Sequence, residues 1–151
     1  MKIYLAPRQI SGPPVGGVAH AVYQLGLSLT DLGHTVVSSP DEADVVHGHA
    51  FDSGEVYTSH GVYPQGDEGE AYNRQLYNNI VSAKIVTAVS HWTANQFRFT
   101  KVEPTIIPNG INIANLQNAP HPLGNYILWA KNSATKTSNA EAFLELANKR
   151  K

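Results

Sequence analysis

The sequence has 151 residues, 42% of them hydrophobic and 15% charged, with a formal net charge of -1 and no cysteine. A chain of that length is about one ordinary domain and buries roughly 70% of the surface it exposes when unfolded. The near-neutral balance supplies no long-range field for nucleic acid or anionic lipid, and without cysteine there are no disulfides, thiolate metal ligands or cysteine nucleophile, which fits a cytoplasmic protein.

The opening run Met1-Lys2-Ile3-Tyr4-Leu5-Ala6 meets Pro7 and Arg8 at once, too soon for the apolar region of a signal peptide, and predicts a first strand from Lys2 to Ala6. Val18, Ala21, Val22, Leu25, Leu29 and Leu32 then recur at the spacing of one buried helical face, and Gly33 supplies the stop. Short β-branched runs follow from His34 to Ser38, Asp44 to His47, Glu55 to Ser59, Lys84 to Val89 and Thr105 to Ile107. Such runs suit the strands of a parallel sheet buried on both faces. Tyr72, Leu76, Ile80 and Val81 mark a helix from Glu70 to Ala83, and the Ser90 hydroxyl can cap a shorter one. Alternating strands and helices predict an α/β, Rossmann-like, doubly wound and mostly parallel sheet. Asp41, Glu42 and Asp44 read as a solvated acidic turn, and Tyr4, Tyr23 and Trp92 as core.

Two prolines and a glycine interrupt the pattern over residues 118–124, which read as a linker closing a domain of residues 1–117. A strand from Asn125 to Ala130 and a helix opened by the capping box Ser138 to Glu141 then occupy residues 125–151. One strand and one helix do not make a domain, so this segment reads as the opening of a second, truncated one. No stretch approaches the roughly 20 apolar residues that cross a bilayer.

Three segments bear on chemistry. Ser11-Gly12-Pro13-Pro14-Val15-Gly16-Gly17 leads from the first strand into the first helix, where glycines let backbone approach a ligand and the unpaired N–H groups of the first turn attract a phosphate. A tight turn alone explains the same glycines. They form neither G-x-G-x-x-G nor a G-K-[ST] loop, which disfavours a nucleotide-dependent oxidoreductase. Thr58-Ser59-His60-Gly61 places His60 where a strand ends, so that its imidazole can meet a ligand in the crevice outside the sheet; a loop histidine bonded to backbone is the alternative. His47-Gly48-His49 puts two imidazoles on alternate strand positions, with Asp52 and His60 as further candidates, but two ligands without a clear third point to partly exposed loop histidines and to no metal site.

In order along the chain, Gly16-Gly17 before the long helix, Leu32-Gly33-His34-Thr35-Val36, Asp44-Val45-Val46-His47-Gly48-His49, Thr58-Ser59-His60-Gly61, Ile85-Val86-Thr87-Ala88-Val89-Ser90 and Ile106-Ile107-Pro108-Asn109-Gly110-Ile111 resemble the N-terminal, acceptor-side domain of the family 4 glycosyltransferases, retaining enzymes of the GT-B fold. The strand Tyr126 to Ala130 looks like the start of that family's donor domain. The resemblance implies a nucleoside diphosphate sugar as co-substrate, no other cofactor, an acceptor of unspecified kind, and the remaining donor domain as partner. It puts Gly16 and Gly17 near the donor diphosphate, His60 as the catalytic group facing the transferred sugar, and Val15 and Tyr63 beside the acceptor. Lys131 and Lys136 fall where the family carries a basic pair on the diphosphate; here alanine and lysine, Ala130 and Lys131, replace its glycine and arginine. The family's acidic donor-binding motif does not occur in this sequence, so the chain alone is expected to be inactive. A non-catalytic Rossmann-like module that binds nucleotide or sugar is the rival expectation.

Overall fold

The computed structural model describes residues 1–7, 16–62, 67–110, 144–145 and 148–149. The chain divides into two compact units, Met1–Ile111 and Asn112–Lys151. In the first unit β1 (Lys2–Ala6), α1 (Gly17–Asp31), β2 (Thr35–Val36), β3 (Val45–His49), β4 (Val56–Ser59), α2 (Asp67–Ser82), β5 (Ile85–Ala88), α3 (His91–Gln96) and β6 (Thr105–Ile106) follow one another. The strands form one six-stranded sheet in the order β2-β1-β3-β4-β5-β6, with every pair parallel. The protein is therefore α/β with a Rossmann-like parallel sheet. In the second unit Leu144, Glu145 and Asn148 are helical, and the Lys149 N–H donates to the Glu145 carbonyl at 3.1 Å. The expected linker, the strand from Asn125 to Ala130, Lys131 and Lys136 lie outside the described residues, as do Val15 and Tyr63.

The first unit has two apolar clusters. Ile3 and Leu5 of β1 pack with Val22 of α1, joined by Val18, Leu25 and Leu29; Tyr57, Val86 and Ala88 of β4 and β5 pack with Ile80 and Phe97, joined by Tyr77 and Ala94. Val22 packs on Ile3 and Leu5, whereas Ile80, Phe97 and Ala94 pack with Tyr57, Val86 and Ala88, which register sets on the opposite side. So α1 covers one face of the sheet and α2 and α3 the other, as right-handed crossovers would require. Gly33, at φ +82, ends α1 with a Schellman motif: its N–H donates to the Thr30 carbonyl at 2.9 Å and the His34 N–H to Leu29 at 3.0 Å. Leu32 is thereby turned off the helix and is 74% exposed, outside the face its spacing predicts. Tyr72 and Val81 are also exposed, and buried Asn79 joins Leu76 and Ile80 on the inner face of α2. Nor are Tyr23 and Trp92 core residues, being 46% and 64% exposed, whereas the acidic turn is exposed as expected. Ser90 caps α3, accepting from the Thr93 N–H at 3.1 Å.

The strict strand-helix alternation fails twice. A 3-10 turn, Pro40–Glu42, is the only helical element between β2 and β3, and Ala50–Glu55 alone joins β3 to β4. Parallel neighbours ordinarily need a crossover of about a dozen residues or more. Here the return is possible because it lies directly on β3. A Cβ on Gly48 would stand against the Asp52 carbonyl oxygen, 2.6 Å from Ser53 C and 2.8 Å from Gly54 N; one on Gly54 would stand 2.5 Å from Gly48 N and from the Val46 carbonyl oxygen. Two glycines face each other, and backbone packs on backbone. The loop is tied down by the Tyr57 hydroxyl, which donates to the Ala50 carbonyl at 2.6 Å, and by the Gln75 amide, which donates to Phe51 at 2.8 Å.

Candidate functional site

From β1 the chain goes first to β2 on one side and later to β3 on the other, so the strand order reverses between β1 and β3. In open parallel sheets the ligand crevice lies outside the carboxyl ends of the strands at such a switch point. The chain supplies three groups to that end of the sheet: the N-terminus of α1, which follows β1; His49, the last residue of β3; and His60, directly after β4.

The start of α1 is unusual in being bare. Gly16 caps it at φ 92 and ψ 160, a conformation essentially restricted to glycine, and so offers no capping side chain of its own, and the first turn holds no acidic residue. Gly17 opens the helix, and a Cβ at either glycine would meet nothing within 4 Å. The turn thus explains Gly16, but no contact among the described residues requires Gly17 to lack a side chain. First-turn N–H groups without a capping side chain carry the partial positive charge that attracts an anion.

His49 and His60 are brought together: His49 Nδ1 and His60 Nε2 lie 3.0 Å apart. His47 stacks on His49, with ring centroids 4.2 Å apart, and its Nε2 lies 2.7 Å from the Thr58 hydroxyl, which in turn lies 2.7 Å from that of Thr87. Register explains the grouping. Leu5 pairs with His47, His49 with Thr58 and Thr58 with Thr87, and paired residues of parallel strands point the same way. The face that is apolar at β1 is therefore polar at the carboxyl-terminal ends of β3, β4 and β5, beyond Val45, Val56 and Ile85. His49 is 2% exposed and Thr58 and Thr87 are also buried, so the partly exposed loop histidines of the sequence reading are, at His49, a buried strand residue. Local polar residues on a buried sheet face break the rule that the rest of the sheet obeys, and such breaks concentrate at functional sites.

Burial holds all three imidazoles neutral. It lowers His47 from 6.5 to about 4, with His60 adding to the effect, and His49 to about 2, with His47 and His60 adding; it also lowers His60. A neutral imidazole offers one donor and one acceptor. The same shifts predict acid sensitivity. Unfolded histidines titrate near 6.5 and so bind protons that the folded cluster refuses; stability is full above that pH and falls as pH drops from 6.5 towards 4. At 1.36 kcal/mol per pH unit the loss by pH 4 is on the order of 3 kcal/mol each for His47 and His49. Urea denaturation across that window should show the decline. A flat profile would mean that both rings are solvated in the native protein.

Sequence reasoning singled out His60, Gly16 and Gly17, and the structure sets them at one end of the sheet. It did not assign Thr58 and Thr87 a part, and it grouped His60 with His47 and His49 only as candidate metal ligands, not as a hydrogen-bonded pair with His49. The signal was present in the alternation of polar residues at 47 and 49 and at 58 and 60, which puts each pair on one face. Among the described residues no group of three or more His, Cys, Asp or Glu side chains is arranged to hold a metal ion, and Asp52 is exposed. A separate cavity of about 210 Å3 beside α1, lined by Leu5, Val22, Tyr23, Leu27 and Val36 among others, has no charged residue among the described ones that line it. No helix among the described residues is long and apolar enough to cross a membrane. The sequence matches no protein-family model and no curated protein.

Proposed function

We propose that the Met1–Ile111 unit is the acceptor-side half of a retaining glycosyltransferase that moves a sugar from a nucleoside diphosphate sugar to an acceptor hydroxyl. The observation that carries this reading is the placement of His60 and of the bare N-terminus of α1 at the carboxyl end of one parallel sheet, around its switch point. In the transfer, the bond from the anomeric carbon to the phosphate oxygen breaks, a bond to the acceptor oxygen forms, and the acceptor hydroxyl's proton passes to the departing phosphate. Negative charge grows on the departing diphosphate, and fixed N–H groups at a helix start are suited to stabilise it. The neutral imidazole of His60 donates a hydrogen bond to a sugar hydroxyl or to the leaving phosphate. The sequence resemblance assigns the remaining diphosphate charge to Lys131 and Lys136, which lie outside the described residues. The ordered motifs from Gly16 to Ile111 support the same assignment.

Calorimetric titration tests it. Nucleoside diphosphate sugars should bind and NAD should not. Gly17→Val puts a side chain where a Cβ meets none of the described residues within 4 Å, so it should weaken that binding by about tenfold, or 1.4 kcal/mol, with little change in melting temperature. Binding of NAD in preference to nucleoside diphosphates would overturn the assignment, and equal sugar-nucleotide affinity in Gly17→Val would remove the glycine from it.

A further inference from the structure

We propose that His49 is a positioning residue that fixes the tautomer of His60, so that His60 accepts a hydrogen bond at Nε2 and presents Nδ1–H to its ligand. Three observations support this. The His49 Nδ1 to His60 Nε2 separation of 3.0 Å is a hydrogen bond, in which one ring donates and the other accepts. Among the described residues, His49 Nε2 is buried with no hydrogen-bond partner. And His49 itself is only 2% exposed, so bulk solvent does not reach the ring.

The orphan nitrogen decides the direction of the bond. With its proton on Nε2, His49 would bury an N–H that has no acceptor, while its Nδ1 waited for a proton from His60. With its proton on Nδ1, the ring's single N–H is used in the bond to His60, and what is left unpaired is a lone pair. Orphaned buried N–H groups are rare in folded proteins, and unpaired acceptors less so. His49 therefore donates from Nδ1. His60 accepts at Nε2 and carries its own proton on Nδ1. The stacked ring of His47, anchored through Thr58 to Thr87, restrains the plane of His49 and hence the direction in which it donates.

The role in sugar transfer rests on the function proposed above: His60 is then a hydrogen-bond donor to the sugar or the leaving phosphate, and not a base. The tautomer itself is measured without any nucleotide-sugar, so the two ideas fail separately. Long-range 1H–15N correlation spectra of the labelled chain near neutral pH should show a protonated Nδ1 and a bare Nε2 in both His49 and His60. In His49→Phe the bond is lost and His60 should gain a protonated Nε2. Thr58→Val, which releases His47 but leaves the His49–His60 bond, should keep the Nδ1–H form of His60. A protonated Nε2 on His60 in the parent protein overturns the proposal whether or not His49→Phe folds. So does an unchanged His60 spectrum in a folded His49→Phe.

Discussion

Gly48→Ala is expected to destabilise the protein by about 3 kcal/mol or more, enough to unfold many domains of ordinary stability. The added Cβ would collide with the Asp52 carbonyl oxygen, Ser53 C and Gly54 N, all of them backbone atoms of the short return between β3 and β4. A flexible side chain could swing aside, but this segment is pinned by the Tyr57 and Gln75 hydrogen bonds and cannot lift away without breaking them. Opening the return would also separate β3 from β4 where His47 pairs with Val56. The same substitution at Gly26, in the middle of α1, provides the contrast. There the Cβ would make an ordinary 3.4 Å contact with Leu5, and replacing a helical glycine by alanine is worth up to about 1 kcal/mol of added stability. Urea denaturation of the two variants measures both effects. Similar stabilities for Gly48→Ala and Gly26→Ala would show that the β3–β4 return has slack that the backbone contacts do not suggest.

The parallel sheet was legible because local pattern and final environment agree over most of it. Lys2–Ala6 is a strand with the bounds its sequence suggests, and Gly33 and Ser90 end and begin helices by the backbone and side-chain bonds their types favour. What was not legible depends on partners distant in sequence. Nothing local marks glycines 48 and 54, and only the approach of one backbone to another reveals that each makes room for the other. Leu32 fits a helical stripe by spacing, yet the left-handed Gly33 ends the helix before that stripe is complete. The site shows the same division. His60 was recognisable from a strand ending in histidine and glycine, but its contact with His49 follows from the register of β3 on β4, which no local pattern records.

His60→Ala, made in an enzyme in which this unit is joined to a complete donor-binding domain, is expected to lower sugar transfer by roughly 100- to 1,000-fold, the usual effect of deleting one preorganised donor aimed at developing charge. The fold should survive. His60 lies beyond the last residue of β4, is only partly buried, and belongs to neither apolar cluster. Its loss does leave His49 Nδ1 without its partner, beside an Nε2 that already has none, so a penalty of about 1 to 3 kcal/mol in stability is expected alongside the kinetic effect. The two are separable by measuring kcat and KM on variant that remains folded, well below its melting temperature. Because the donor bond of His60 matters most when charge has shifted to the leaving group, kcat should fall more than KM rises. His60→Asn is the informative companion, since an amide restores an N–H near the same place without a titratable ring and should recover part of the rate. Undiminished transfer by folded His60→Ala would exclude the imidazole from the chemistry and leave the helix N-terminus as the feature of this unit that contacts the donor.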